Sequence, residues 1–122
     1  MIPFFCEATA TSPRVLLDKA KGIFEISGRS LPENTLQFYE PILAWVENYS
    51  AHPNTETCLE MNLEYYNSGS NMILYKLLRM LQALPGLEVI WAYHPDDEEI
   101  LEAGQELSRD TKVAFLYRVH AG

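Results

Sequence analysis

Two serines flank a glycine in Asn67-Ser68-Gly69-Ser70, where an alternating apolar run ends and a helical pattern begins at once. Hydroxyls at a strand-to-helix junction have three chemical uses. Either can cap the helix by accepting an N–H bond. Either can carry a phosphate, because a helix N-terminus offers orphan N–H donors and a favourable dipole, and the group adds about -1.5 to -2 charge to a surface that a partner must touch. Either can act as a nucleophile, but that needs a base and an orienting group, and no histidine lies nearby in sequence. On local pattern alone capping leads, with phosphorylation the sharper alternative. Gly69 matters to all three, since a residue without Cβ lets another protein's backbone or an active-site loop approach closely.

The other reactive side chains are scattered. His52, His94 and His120 form no HxxxH or HxH pair, which argues against a metal centre and for surface or strand-end histidines. Asp96-Asp97-Glu98-Glu99 could hold a divalent cation. Acids at a helix start are favoured by the dipole, however, and Asp96 with Glu99 has capping-box spacing, so the structural reading leads. Arg29, in the segment Ser27 to Asn34, is a candidate partner for a phosphate or carboxylate, and a plain turn is the equal alternative. Trp45, Trp91, Tyr39 and Tyr93 fall on apolar stripes and are assigned to the core. No cofactor or metal is implied.

The elements that must position these groups follow from length and patterning. At 122 residues and 48% hydrophobic, the chain should bury roughly 65% of its unfolded surface, enough for one domain over residues 1–122 without disulfides. Nine Lys and Arg against 17 Asp and Glu give a net charge of -8, which repels nucleic acid and anionic membrane and favours a docked protein or small ligand. Cys6 and Cys58 have no CxxC spacing, and no basic-then-apolar leader opens the chain, which points to a reducing, cytoplasmic setting. No apolar run approaches the ~18 residues of a membrane span.

Apolar residues recur at period 2 in short runs and near period 3.6 between them, an α/β pattern. A strand is expected over Phe4 to Ala10. Val15 to Leu17 and Ile23 to Ile26 form a hairpin across Asp18-Lys19-Ala20-Lys21-Gly22. A helix over about 33–50 carries Leu36, Tyr39, Ile42, Leu43, Val46 and Tyr49 on one face, kinked or broken at Pro41. Leu59, Met61, Leu63 and Tyr65 then alternate with Glu60, Asn62, Glu64 and Tyr66 along a half-buried strand. A second helix over about 70–84 presents Ile73, Leu77, Met80, Leu81 and Leu84 and stops at Pro85-Gly86. Leu87 to Tyr93, a helix over about 97–108, and Val113 to Val119 complete the chain. This order favours right-handed parallel crossovers, with the helices mainly on one face of a mixed sheet. Ligands and switches gather at the carboxyl ends of such strands, where Ser68 lies.

Four segments in order, TATSPRVLLD, SGRSLPENTLQFYEPILAWVENY, LEMNLEYYNSGSNMILYKLL and VIWAYHPDDEEILEAGQEL, resemble the SiaC family of bacterial regulatory phosphoproteins over nearly the whole chain. The resemblance implies a STAS-like α/β domain without enzymatic activity. It further implies reversible phosphorylation by a Ser/Thr protein kinase and a PP2C-type phosphatase, with the unphosphorylated form binding and activating an effector such as a diguanylate cyclase, in biofilm control. The family's acceptor, a Ser or Thr after the strand-ending Tyr-aromatic-Asn, maps onto Ser68. Gly69 departs from the Thr-Ser or Ser-Ser pair expected there, which keeps Ser70 as second candidate. On this resemblance Ser68 is the modified hydroxyl and Ser70 the cap, and Asn67, Ser68, Gly69, Ser70 and Arg29 form the partner-binding edge. The alternative is a small-molecule-binding module that uses Arg29 and the helix N-terminus without phosphorylation.

Overall fold

In the computed structural model, which describes residues 1–120, the elements run β1 (Phe4–Cys6), β2 (Arg14–Asp18), β3 (Ile23–Ser30), α1 (Thr35–Ala51), β4 (Thr57–Tyr66), α2 (Ser68–Leu81), β5 (Leu87–Tyr93), α3 (Glu98–Thr111) and β6 (Phe115–Val119). The six strands form one sheet in chain order. β1, β2 and β3 pair antiparallel, and β3 through β6 pair parallel. Each parallel crossover steps the same way along the sheet, so a uniform right hand puts all three helices on one face, as the patterning predicts. The core lies between the two layers, with Ile26, Met61, Val89 and Trp91 of the sheet meeting Tyr39, Ile42, Leu74, Leu78 and Leu107 of the helices.

Local chemistry sets the joints. In the β2–β3 hairpin the Lys21 N–H donates to Asp18 Oδ1, and Gly22 takes the left-handed φ of 67° that a side chain would resist. The first strand is shorter than expected, ending at Cys6, and the last starts at Phe115. β3 runs on through Ser30, into what the sequence presents as a connection. Helix α1 passes through Pro41 without a break, because the side of the helix that loses a donor faces solvent, where water can satisfy the freed carbonyl. Its first apolar position, Leu36, is exposed, not part of the core stripe. The buried stripe of α2 is Leu74, Leu77, Leu78 and Leu81, with Ile73 and Met80 at its margins. Trp91 and Tyr39 are fully buried, while Trp45 and Tyr93 pack against the core half-covered.

One departure bears on the site. The β4 alternation holds through Leu59, Met61 and Leu63, all buried, and fails at Tyr65, which is exposed. The β3–β4 register shifts between Gly28 and Arg29, so that Gly28 faces Leu63 but Arg29 faces Tyr65. Glu64 is the extra residue of this bulge, and each later side chain changes face. Tyr66 therefore turns inward onto the edge of the Trp91 ring.

Candidate functional site

The strand-to-helix junction is built by Asn67. Its N–H donates to the Ser30 carbonyl, the last rung of the β3–β4 pairing, and its side-chain oxygen accepts from the Ser70 N–H at 2.8 Å. Extended backbone at φ -86° and ψ 173° makes it the N-cap of α2, so the cap expected of Ser70 falls to Asn67. An asparagine oxygen at this position reaches the third amide, which frees both serines for other contacts. At the start of α3 the cap also differs from expectation, here by one residue later than its spacing suggests. Asp97, not Asp96, accepts from the Ile100 N–H.

The two serines then part company. Ser68 is the first residue of α2 and exposed, and its hydroxyl makes no hydrogen bond among the described residues. Ser70 is fully buried. Its Oγ donates to the Ser30 carbonyl at 2.9 Å and lies 2.8 Å from Ser30 Oγ, which lies 2.5 Å from the Tyr39 hydroxyl. Each hydroxyl has one proton, which leaves a single consistent direction for the chain. Tyr39 donates to Ser30 Oγ, Ser30 Oγ to Ser70 Oγ, and Ser70 Oγ to the Ser30 carbonyl. Burial pushes the Tyr39 phenol up to about 12, with the Ser30 hydrogen bond opposing. This chain ties β3, α1 and the first turn of α2 together directly beneath Ser68. Ser30 stands out in no sequence pattern, and Tyr39 reads there only as core.

Gly69 lies against the first turn of α1. A Cβ built on it would stand 2.7 Å from Thr35 Oγ1, closer than real side chains approach. Arg29 is exposed and pairs in register with Tyr65. Strand alternation points it away from the face that holds Ser30, and no hydrogen bond or ion pair joins it to Ser68 among the described residues. The expected edge of five residues thus resolves into an exposed Ser68, a structural cap, a buried Ser70, a packed Gly69 and an arginine on the opposite side of the sheet.

Beside Ser68, a groove of about 320 Å³ opens between the end of β4, α2 and α3. Its charged lining residues, Glu64, Asp97, Glu99 and Glu106, are all acidic. Tyr66 also lines it. Its hydroxyl is buried without a hydrogen-bond partner among the described residues, and its pKa is raised to about 12, first by burial and then by the Glu106 charge. A phosphate on Ser68 would find no countercharge in this wall. Among the described residues, no group of three or more His, Cys, Asp or Glu is placed to hold a metal ion, and no helix is long and apolar enough to cross a membrane.

The profile of the SiaC family of regulatory phosphoproteins matches residues 6–119. The chain belongs to the SiaC family. An uncharacterized protein of Pseudomonas aeruginosa (strain UCBPP-PA14) is 26% identical over 116 residues, covering 92% of both chains. The fold matches apo-SiaC from Pseudomonas aeruginosa with a TM-score of 0.86 at 23% identity, over 98% of this chain and 100% of that one. It also matches one chain of the crystal structure of the diguanylate cyclase SiaD in complex with its activator SiaC from the same organism, with a TM-score of 0.87 at 24% identity, over 96% of this chain and 99% of that one. At these identities the solved structures speak to the fold. In this member of the family, Thr35 occupies the room that a side chain at position 69 would need.

Proposed function

We propose that the protein is a non-enzymatic phosphorylation switch in a bacterial partner-switching pathway. Ser68 is phosphorylated by a Ser/Thr kinase, and a PP2C-type phosphatase hydrolyses the ester to restore the hydroxyl and release inorganic phosphate. The unphosphorylated form binds and activates an effector of the diguanylate cyclase class, in a cytoplasmic setting. The observation that carries this reading is the contrast between the two serines in a chain of a regulatory phosphoprotein family. Ser68 is exposed and unbonded at a helix N-terminus, whereas Ser70 is fully buried and bonded on both sides. A kinase must draw the acceptor hydroxyl into its own active site, which at Ser70 requires opening the first turn of α2. The N–H groups of that turn and the helix dipole stabilise a phosphate on Ser68. The neighbouring carboxylates leave the added charge available to repel or desolvate a partner.

The test is intact mass and site mapping after expression in the protein's own host and after incubation with Ser/Thr protein kinases of that host. Wild type should gain one phosphate on Ser68, Ser68→Ala should gain none, and Ser70→Ala should still gain one. Phosphate retained in Ser68→Ala, or absent from wild type, refutes the assignment.

A further inference from the structure

The edge strand β6 has one side paired and one side open. Its inner side pairs with β5, where the His120 N–H donates to the Tyr93 carbonyl at 2.9 Å. Backbone groups alternate in direction along a strand, so Leu116, Arg118 and His120 turn their N–H and C=O toward β5, and Phe115, Tyr117 and Val119 turn theirs outward. Nothing pairs with those outward groups among the described residues. An edge of this kind is normally blunted by brevity, proline, a bulge or an inward charge. The opposite edge is blunted in this way, since β1 has three residues and follows Pro3. β6 has none of these devices. Its five residues hold an unbroken register, its one charge, Arg118, is already paired with Glu60 of the same chain, and Leu116, Tyr117 and Val119 are 54%, 40% and 48% exposed.

We infer that β6 pairs antiparallel with β6 of a second copy, about a two-fold axis at Tyr117, joining two six-stranded sheets into one. The register follows from the backbone. Antiparallel residues exchange both bonds only where their groups point at each other, and the register that uses every outward group sets Tyr117 opposite Tyr117 and Phe115 opposite Val119. These are the aromatic and β-branched cross-strand contacts that a sheet favours. On the other face Leu116 stands opposite Arg118, whose stem is apolar and whose charge is held by Glu60. This self-matching selects a second copy, and the two-fold axis closes the assembly as a dimer. One pair of strands buries less than a standard interface, and each copy carries a net charge of -8, so the dimer is weak and is opposed by repulsion at low salt. Ser68 takes no part in this pairing, which stands apart from the switch.

The experiment is sedimentation equilibrium of the full chain at concentrations up to about 1 mM, in about 0.05 M and about 0.5 M NaCl. A monomer–dimer equilibrium is expected, shifted toward dimer at the higher salt. Val119→Pro removes one outward donor and no bond to β5, and Tyr117→Lys sets two ammonium groups at the axis, so each should weaken the dimer at least roughly tenfold while thermal melts show a folded chain. Disulfide trapping reads the register independently of those variants. In a Cys6→Ser, Cys58→Ser background, Tyr117→Cys should link two copies, because opposed Cα atoms of a hydrogen-bonded pair lie about 5.5 Å apart, within disulfide reach. Leu116→Cys, which stands opposite Arg118 and not its own counterpart, should link at least roughly tenfold more slowly. A dimer indifferent to both edge variants, one that loosens as salt rises, or equal trapping at positions 117 and 116 overturns the pairing. A chain that stays monomeric throughout also overturns it, and leaves the edge to an extended segment of another protein.

Discussion

Substituting Gly69 by alanine sets two opposing terms against each other at the switch. Gly69 has helical backbone in the first turn of α2, and alanine there should stabilise the helix by at most about 1 kcal/mol, mainly by restricting the unfolded chain. Against this, the new Cβ would lie 2.7 Å from Thr35 Oγ1 and 3.5 Å from Thr35 Cβ. Relief requires Thr35 to change rotamer or α1 to shift, and overpacking of this kind costs about 1–3 kcal/mol. The clash is therefore expected to win, making Gly69→Ala destabilising by about 1 kcal/mol, a loss of about 4 °C in melting temperature. With Thr35→Ala the obstruction is gone, and Gly69→Ala should become stabilising by a few tenths to about 1 kcal/mol. The sign change gives a coupling of about 1–2 kcal/mol in a double-mutant cycle by thermal and urea denaturation. Equal effects of Gly69→Ala in both backgrounds would refute the contact and leave the glycine at this position without a packing reason.

Further outcomes follow from the same geometry. Ser68→Asp should weaken effector binding at least about tenfold in calorimetric titration while leaving the melting temperature nearly unchanged, because an acid is tolerated at a helix N-terminus and an unpaired charge is costly in an interface; undiminished binding contradicts the switch. Tyr39→Phe removes the first donor of the buried hydroxyl chain and should cost about 1–2 kcal/mol, with faster amide exchange concentrated in residues 67–71, whereas uniform loosening argues against the chain as a clamp. Tyr39 and Tyr66 both titrate near 12 in the folded state against an ordinary value near 10. The folded state holds these protons more tightly, so their contribution is complete below about pH 10 and lost as pH rises to about 12, a fall that tyrosinate absorbance and melting should track together. Gly104→Ala would drive a Cβ into the Trp91 ring, which donates its N–H to the Ile100 carbonyl. A loss of several kcal/mol by denaturation is expected, and a neutral result would contradict the packing of α3 on β5.

Much of the fold was legible because it rests on local periodicity. The period-2 runs of β4 and β5 and the period-3.6 stripes of the helices needed only one solvated face to be read, and their order set the parallel crossovers and the single helical layer. The departures are of another kind. The inward turn of Tyr66 depends on a bulge opposite Gly28 and Arg29, and a register shift exists only between two strands. Leu36 falls on the apolar stripe expected of α1 and is nonetheless exposed, an outcome set by how the layers pack.

At the site, the sequence by itself determined that hydroxyls stand where a strand becomes a helix, and the family pattern singled out Ser68. Tertiary structure decided what each hydroxyl does. Ser70 is withdrawn into the core by Ser30, forty residues away in the chain, and Ser30 is held in turn by Tyr39. Asn67 caps the helix because β3 fixes its backbone through the Ser30 carbonyl. Arg29 leaves the switch because alternation along β3 points it to the other face of the sheet. The burial of Ser70 and the backbone of the cap are set by partners distant in sequence, so two serines separated by a single glycine acquire different surroundings only when the layers close.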